Sequence, residues 1–215
     1  MKLKKITGFI LGLVFLNETT NAYFEDIATT HPNFQAIQWL QKNDIVKGYT
    51  SNDTSLFKST KAVTRAEALK MLLLGSDTNI KNGKTNFLDV SENIWFNSFI
   101  KTATDKGIVK GFPDGNFYPN AQVNKAELLK MVLYAFEAPL NTDLGETSAV
   151  DWYAPFINFG KEYRLIDETK NPLQPLTRGG VAEIIFRTAQ IQKKSFEYPY
   201  IYSGSGKTSY YGKGF

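Results

Sequence analysis

The chain has 215 residues, with 25 Lys and Arg against 21 Asp and Glu, one histidine and no cysteine. The cysteine count excludes a disulfide framework and a lipid-modified amino-terminal cysteine, and the single His31 excludes a His-based metal cluster or a conventional Ser-His-Asp triad. The formal charge of +4 falls to +2 without the basic leader of residues 1–22, and a near-neutral chain with no clustered Lys/Arg stripe argues against nucleic acid and against a strongly anionic membrane patch as partners.

Residues 1–22 read as a signal peptide: a basic lead "MKLKK", eleven apolar residues "ITGFILGLVFL", then the small Thr20 and Ala22 at cleavage spacing. Their removal takes three lysines and Glu18, lowers the formal charge from +4 to +2 and leaves 193 residues. An apolar helix needs about 20 residues to cross a bilayer, and no stretch approaches that length. An exported chain with no integral membrane segment after leader removal is expected.

The rest is repetitive. Phe24 and Phe87, Asp26 and Asp89, Ile45 and Ile108, and Gly48 and Gly111 are each 63 residues apart. Trp95, Phe99, Ile100 and Val109 recur as Trp152, Phe156, Ile157 and Ile166 at an offset of 57, without the glycine. Three units follow: 23–85 and 86–148, each with a linker, and a divergent 149–194. Each reads as helix, turn, loop, helix. The first helices contain "AIQWLQKN", "FIKTATDKG" and "FINFGKEY", with Gly107 placed to end the second of these. The loop of the second unit carries the turn signal Pro113-Asp114-Gly115; that of the first is three residues longer, and that of the third is contracted. Linkers at about 75–86 and 138–149 are expected to be exposed.

The second helices begin at "VTRAEALKMLLL", "VNKAELLKMVLY" and "LTRGGVAEIIFR". Thr64 with Glu67, and Asn124 with Glu127, form capping boxes, in which side chain and backbone satisfy each other's orphan N–H groups. Thr177 keeps the cap but meets Gly180 where the glutamate should stand. Behind the caps, Leu69, Leu72 and Leu73, then Leu129, Val132 and Leu133, follow the spacing of a helix with one buried face. Just inside each cap stands a cation: Arg65, Lys125 and Arg178. A helix N-terminus favours anions by about 0.3–1 kcal/mol, so a cation there implies a negative group nearby. Free backbone N–H groups beside a basic side chain, exposed on the first turn, would make an anion site. The alternative is that each cation pairs with an aspartate of its own or a neighbouring unit.

After Lys194, residues 195–215 hold five of the eleven tyrosines and no helical period, and read as a flexible or adhesive tail. Within it "GSGKTS" lacks the first glycine of a phosphate loop, since Ile201 stands there. "DGN" at 114–116 lacks the ligand series of a calcium loop. No cofactor and no metal are expected.

The pattern F-x-D, then W, then "GIVKGFPDGNFYP", then "TRAE" resembles the S-layer homology (SLH) domain, and the resemblance spans residues 24–191. It implies an all-α fold, with three helix-loop-helix repeats in a pseudo-threefold spindle around a central three-helix bundle. It also implies a non-covalent anchor on the cell surface. In that reading inter-repeat grooves bind an anionic secondary cell wall polysaccharide, pyruvylated in many members, and other surface-layer proteins are a second class of partner. The family's arginine falls on Arg65 and Arg178, and on Lys125, which keeps the charge but loses the two-pronged geometry. Its aspartate falls on Asp26 and Asp89, with Asp151 displaced in the third unit. Its tryptophan falls on Trp95 and Trp152, while Pro32 takes that place in the first unit. An indole suits the C–H face of a sugar, and plain core packing is the alternative. Trp39, inside a helix, reads as core. Gly48 and Gly111 match the family glycine, required where φ is positive or a ligand comes close.

Two rival functions remain. A self-assembling surface-layer or envelope subunit would use the repeats or the tail without a glycan. A glycan hydrolase would need paired carboxylates in a cleft, whereas the carboxylates here recur with the repeats.

Overall fold

The computed structural model of the chain describes residues 24–51, 54–138, 151–167 and 171–197. The expected leader, the second linker and the tail beyond residue 197 lie outside them. The described residues form six helices and one small hairpin, in order: α1 Phe34–Lys42, β1 Tyr49–Ser51, β2 Thr54–Leu56, α2 Arg65–Gly75, α3 Asn97–Asp105, α4 Lys125–Ala135, α5 Ala154–Glu162 and α6 Arg178–Glu197. The all-α expectation holds apart from the hairpin, which pairs Tyr49 with Leu56 and Ser51 with Thr54 and absorbs the three extra residues of the first loop.

Both capping boxes form. Thr64 Oγ1 accepts the Glu67 N–H at 3.2 Å while Glu67 Oε2 accepts the Thr64 N–H at 3.0 Å. Asn124 and Glu127 repeat this at 2.9 and 3.1 Å. In α6 Thr177 Oγ1 accepts from the Gly180 N–H at 3.2 Å, and among the described residues no carboxylate returns the bond. The first helices end alike, in left-handed residues at Asp44, Gly107 and Arg164 with φ of 56°, 71° and 54°. Only one of the three is the glycine that the turn prefers.

The expectation of a single buried face on α2 and α4 needs correction. Ala68, Leu69, Leu72 and Leu73 of α2, and Leu128, Leu129, Val132 and Leu133 of α4, have no accessible surface, and Met71 and Met131 are buried too. A helix apolar on most sides must be wrapped by others. That is the case here: α2, α4 and α6 touch one another pairwise, and each also carries an outer helix. The outer helix comes from the following unit, α3 on α2 and α5 on α4, and α1 packs on α6.

Closure is also written in the backbone. The Val123 N–H donates to Val63 O at 3.0 Å, Leu176 N–H to Val123 O at 2.9 Å, and Val63 N–H to Leu176 O at 3.3 Å. These three residues, each one place before a cap, form a buried ring of hydrogen bonds that joins the three second helices.

The first linker is less free than expected. Thr102 Oγ1 of α3 accepts the Lys81 N–H at 2.8 Å, Asn97 Nδ2 donates to Gly83 O at 2.6 Å, and Thr85 is buried. Helix α6, at 20 residues, runs to Glu197, three residues into the stretch expected to begin the tail.

Candidate functional site

Each second helix starts against the loop of the next unit, and this contact uses the N–H groups that were expected to be free. Arg65 N–H donates to Ala121 O at 2.8 Å and Ala66 N–H to Pro119 O at 3.0 Å. Ala126 N–H donates to Pro172 O at 3.0 Å, Arg178 N–H to Lys61 O at 2.8 Å, and Gly179 N–H to Ser59 O at 2.8 Å. An anion at these seams must therefore be met by side chains.

The two arginines are not exposed on the first turn, as their position suggested, but buried, at 7% and 8% of full exposure. The Arg65 guanidinium lies 4.9 Å from the Phe112 ring centre and 4.8 Å from that of Phe117. Its Nε donates to Phe117 O at 3.1 Å and its Nη1 meets Glu127 Oε1 at 2.9 Å. Arg65 thus pairs with a neighbouring unit's carboxylate, as the alternative reading held, but with a glutamate in place of an aspartate. Arg178 takes the corresponding seat against the first unit, 5.1 Å from the Tyr49 ring and 4.8 Å from Phe57. Among the described residues it makes no ion pair: Nη1 lies 3.9 Å from Met71 Sδ and Nε is buried without an acceptor. Burial pushes both guanidinium groups below their ordinary pKa; Glu127 opposes this directly at Arg65, and Tyr49 and Glu67 oppose it at Arg178. Both stay charged, as arginine does in proteins. Lys125 is half-buried at the start of α4, against residues 172–175 of the third unit.

Asp26 and Asp89 act on the floor of these seats. Asp26 accepts the N–H groups of Phe57 and Lys58 at 2.7 and 2.6 Å, and Asp89 those of Phe117 and Tyr118 at 2.9 and 2.7 Å. Lys58 and Tyr118 are left-handed, at φ of 59° and 58°, which costs a non-glycine residue about 1–2 kcal/mol. Each carboxylate offsets that cost and fixes the ring that an arginine covers. Asp151 is exposed in the third unit.

Gly48 and Gly111 have φ of +75° and +71°, and a Cβ at either would collide with the ring of Phe24 or Phe87 and come within 2.9 Å of a carbonyl. Their closest neighbours are thus the chain's own aromatic rings. Trp95 is half-exposed, with Lys70 Nζ 5.4 Å from its ring, and Trp152 is half-buried, with Lys130 Nζ at 5.3 Å. In the third seam the lysine position is Glu183, whose Oε2 accepts from Asn33 Nδ2 at 3.1 Å. Trp39 packs on Phe186 of α6 at 5.9 Å.

Sequence reasoning missed Glu127 as an ion-pair partner, the aromatic floors of Tyr49, Phe57, Phe112 and Phe117, and the lysines at the tryptophans. Only the recurrence of a lysine six residues after the cap, Lys70 after Thr64 and Lys130 after Asn124, could have hinted at the last.

The S-layer homology domain family model matches residues 23–69 and 86–129. The chain is similar to the "Surface layer protein" of Brevibacillus choshinensis, 28% identical over 79% of this chain and 15% of that protein. It is similar to the "S-layer protein sap" of Bacillus anthracis, 29% identical over 72% of this chain and 18% of the relative. A "Cellulosome-anchoring protein" of Acetivibrio thermocellus is 30% identical over 55% of this chain and 27% of its own length. The chain thus spans under a fifth of the two surface-layer relatives and about a quarter of the anchoring protein.

Proposed function

The chain belongs to the S-layer homology domain family, and on that premise we propose that it is a cell-surface anchoring module that holds an anionic wall polysaccharide in the seams between its units. A structural, non-enzymatic role at the cell surface agrees with relatives named as surface-layer and anchoring proteins. The observation that carries the glycan reading is the recurrence of a buried cation stacked on two aromatic rings of the neighbouring unit, Arg65 on Phe112 and Phe117 and Arg178 on Tyr49 and Phe57. A guanidinium can grip a carboxylate with parallel hydrogen bonds, and the rings offer a face to a sugar's C–H groups.

In this reading the cations Arg65, Lys125 and Arg178 mark the three candidate seats for the charge, and Trp95 and Trp152 serve as sugar platforms. Asp26, Asp89, Gly48 and Gly111 shape the loops that carry the rings. The third unit, 149–194, lies outside the matched segments; its standing as a repeat, and the pseudo-threefold spindle, are supported by the closed ring of Val63, Val123 and Leu176.

The test is co-sedimentation of the protein with purified wall sacculi before and after chemical removal of the non-peptidoglycan polymer. Sedimentation with intact sacculi alone is expected. Equal sedimentation with stripped sacculi, or none with either, overturns the reading.

A further inference from the structure

We infer that the seams are not equivalent ligand seats: the one where Arg178 meets the first unit receives the anion, while the Arg65 seam is filled by the protein's own Glu127. This rests on the proposed anionic-polymer function and deepens it by assigning the seat.

The two arginines start from the same position of homologous helices, lie over homologous ring pairs and are equally buried. They differ in what meets the guanidinium. Arg65 has a carboxylate oxygen at 2.9 Å and a carbonyl at 3.1 Å. An entering ligand carboxylate would have to displace both, exchanging one charge-assisted pair for another with little gain. Arg178 has a thioether at 3.9 Å and an Nε with no acceptor. A buried donor left unsatisfied is costly, so an acceptor arriving there removes a penalty as well as adding a bond.

Glu67, which occupies in α2 the place that Glu127 holds in α4, makes no contact with Arg178 within 4 Å; its Oε1 is 3.5 Å from Lys61 Nζ. Lys61 also donates to Tyr49 Oη at 3.0 Å, and Lys58 Nζ lies 4.9 Å from the same ring. Among the described residues three cations, Arg178, Lys61 and Lys58, therefore lie against the Tyr49 ring, with Glu67 paired to Lys61 and Asp26 held by the backbone beneath, whereas at Arg65 a single guanidinium meets Glu127 directly with Asp89 beneath. The surplus of positive charge beside an aromatic face suits a sugar unit that carries a carboxylate, with Lys61, exposed at the rim, able to contact it first.

The probe is a methyl glycoside with a 4,6-pyruvate ketal, against the same glycoside without the ketal, titrated into the isotope-labelled full chain. Signals of Tyr49, Phe57 and Arg178 are expected to move at lower ligand concentration than those of Phe112, Phe117 and Arg65, and only with the ketal. Calorimetry of variants adds a second readout: Arg178→Gln should lose at least tenfold in affinity, and Arg65→Gln less than threefold. Glu127→Gln, which preserves a cap acceptor while removing the competing charge, should let the chain take up a second equivalent of the glycoside. If Arg178→Gln does not fold, the order of signals in the parent decides. Movement at Arg65 first, equal losses in both variants, or unchanged stoichiometry in Glu127→Gln overturns the assignment while leaving polymer binding intact. No response to the ketal glycoside by a chain that still sediments with intact sacculi overturns the carboxylate seat alone. Failure of both assays overturns the polymer reading together with it.

Discussion

Arg65 and Glu127 meet at 2.9 Å across the boundary of the first two units, their side chains only 8% and 18% exposed. The second oxygen of Glu127 closes the capping box of α4, so one carboxylate serves both helix start and inter-unit contact. Breaking a buried pair by removing one partner costs about 3–5 kcal/mol, because the other charge is left uncompensated. Arg65→Ala should therefore lose about 3 kcal/mol in urea denaturation, and Arg65→Met with Glu127→Gln should recover much of it. A loss below about 1 kcal/mol for the single change would show that water already reaches the pair.

The turn that Asp89 holds offers a separate test. Hydrogen bonds to a charged group are worth about 1.5–3 kcal/mol, and Asp89 is itself exposed, which places Asp89→Ala near the lower end. Asp89→Asn keeps one acceptor and should fall between variant and parent. Gly111→Ala should cost more, about 3 kcal/mol, because left-handed strain of about 1–2 kcal/mol adds to a collision with Phe87. Stability equal to the parent in Gly111→Ala would mean that the loop re-forms in another conformation. Both are read from denaturant midpoints.

How far the sequence carried these features depended on their range. Capping boxes at Thr64 and Asn124 were legible because both partners lie within four residues, and the buried leucines of α2 because their spacing is helical. Repetition was legible because offsets of 63 and 57 persist along the chain. What no local pattern could report is that α1 packs on α6, and that Arg65 reaches a glutamate 62 residues away. Those pairings follow from ring closure, a property of three units together. The hairpin at Tyr49–Leu56 escaped because three-residue strands carry too few alternations to stand out from a polar loop. Burial of Arg65 and Arg178 escaped for a related reason: the first turn of a helix is exposed by default, and only the neighbouring loop covers it.

Ring closure makes a strong statement about cooperativity. A chain truncated after Ser148 would lose α6, and with it the surface under α1, the acceptor for the Val63 N–H and the contacts of α6 with α2 and α4. The remaining helices cannot bury their apolar sides alone, as in other repeat arrays deprived of a terminal unit. The truncated chain should show no cooperative thermal transition by circular dichroism. A sharp transition at the parent's midpoint would contradict the closed arrangement.

Helix α6 begins with half a cap, and the missing half can be restored. Thr177 accepts the Gly180 N–H at 3.2 Å, and among the described residues no side chain returns a bond to the Thr177 N–H as Glu67 and Glu127 do in α2 and α4. A Cβ at Gly180 would lie 3.3 Å from Leu176 Cδ2 and 3.5 Å from Thr177 Oγ1, close but movable side-chain neighbours, and φ there is not left-handed. Gly180→Glu removes a glycine from a helical turn, worth about 0.5–1 kcal/mol, and places a carboxylate at a positive helix end. The net expectation is a gain of about 1 kcal/mol, or about 2–4 °C in melting temperature for a chain of this size. The same carboxylate would stand to Lys125 as Glu127 stands to Arg65, one unit ahead at the third helical position. It should therefore also pair with Lys125 and slow that amine's reaction with an acylating reagent in mass-spectrometric footprinting. A lower melting temperature would show that Leu176 does not yield, and unchanged labelling of Lys125 would show that the relation between Arg65 and Glu127 does not carry over to the seam between the second and third units.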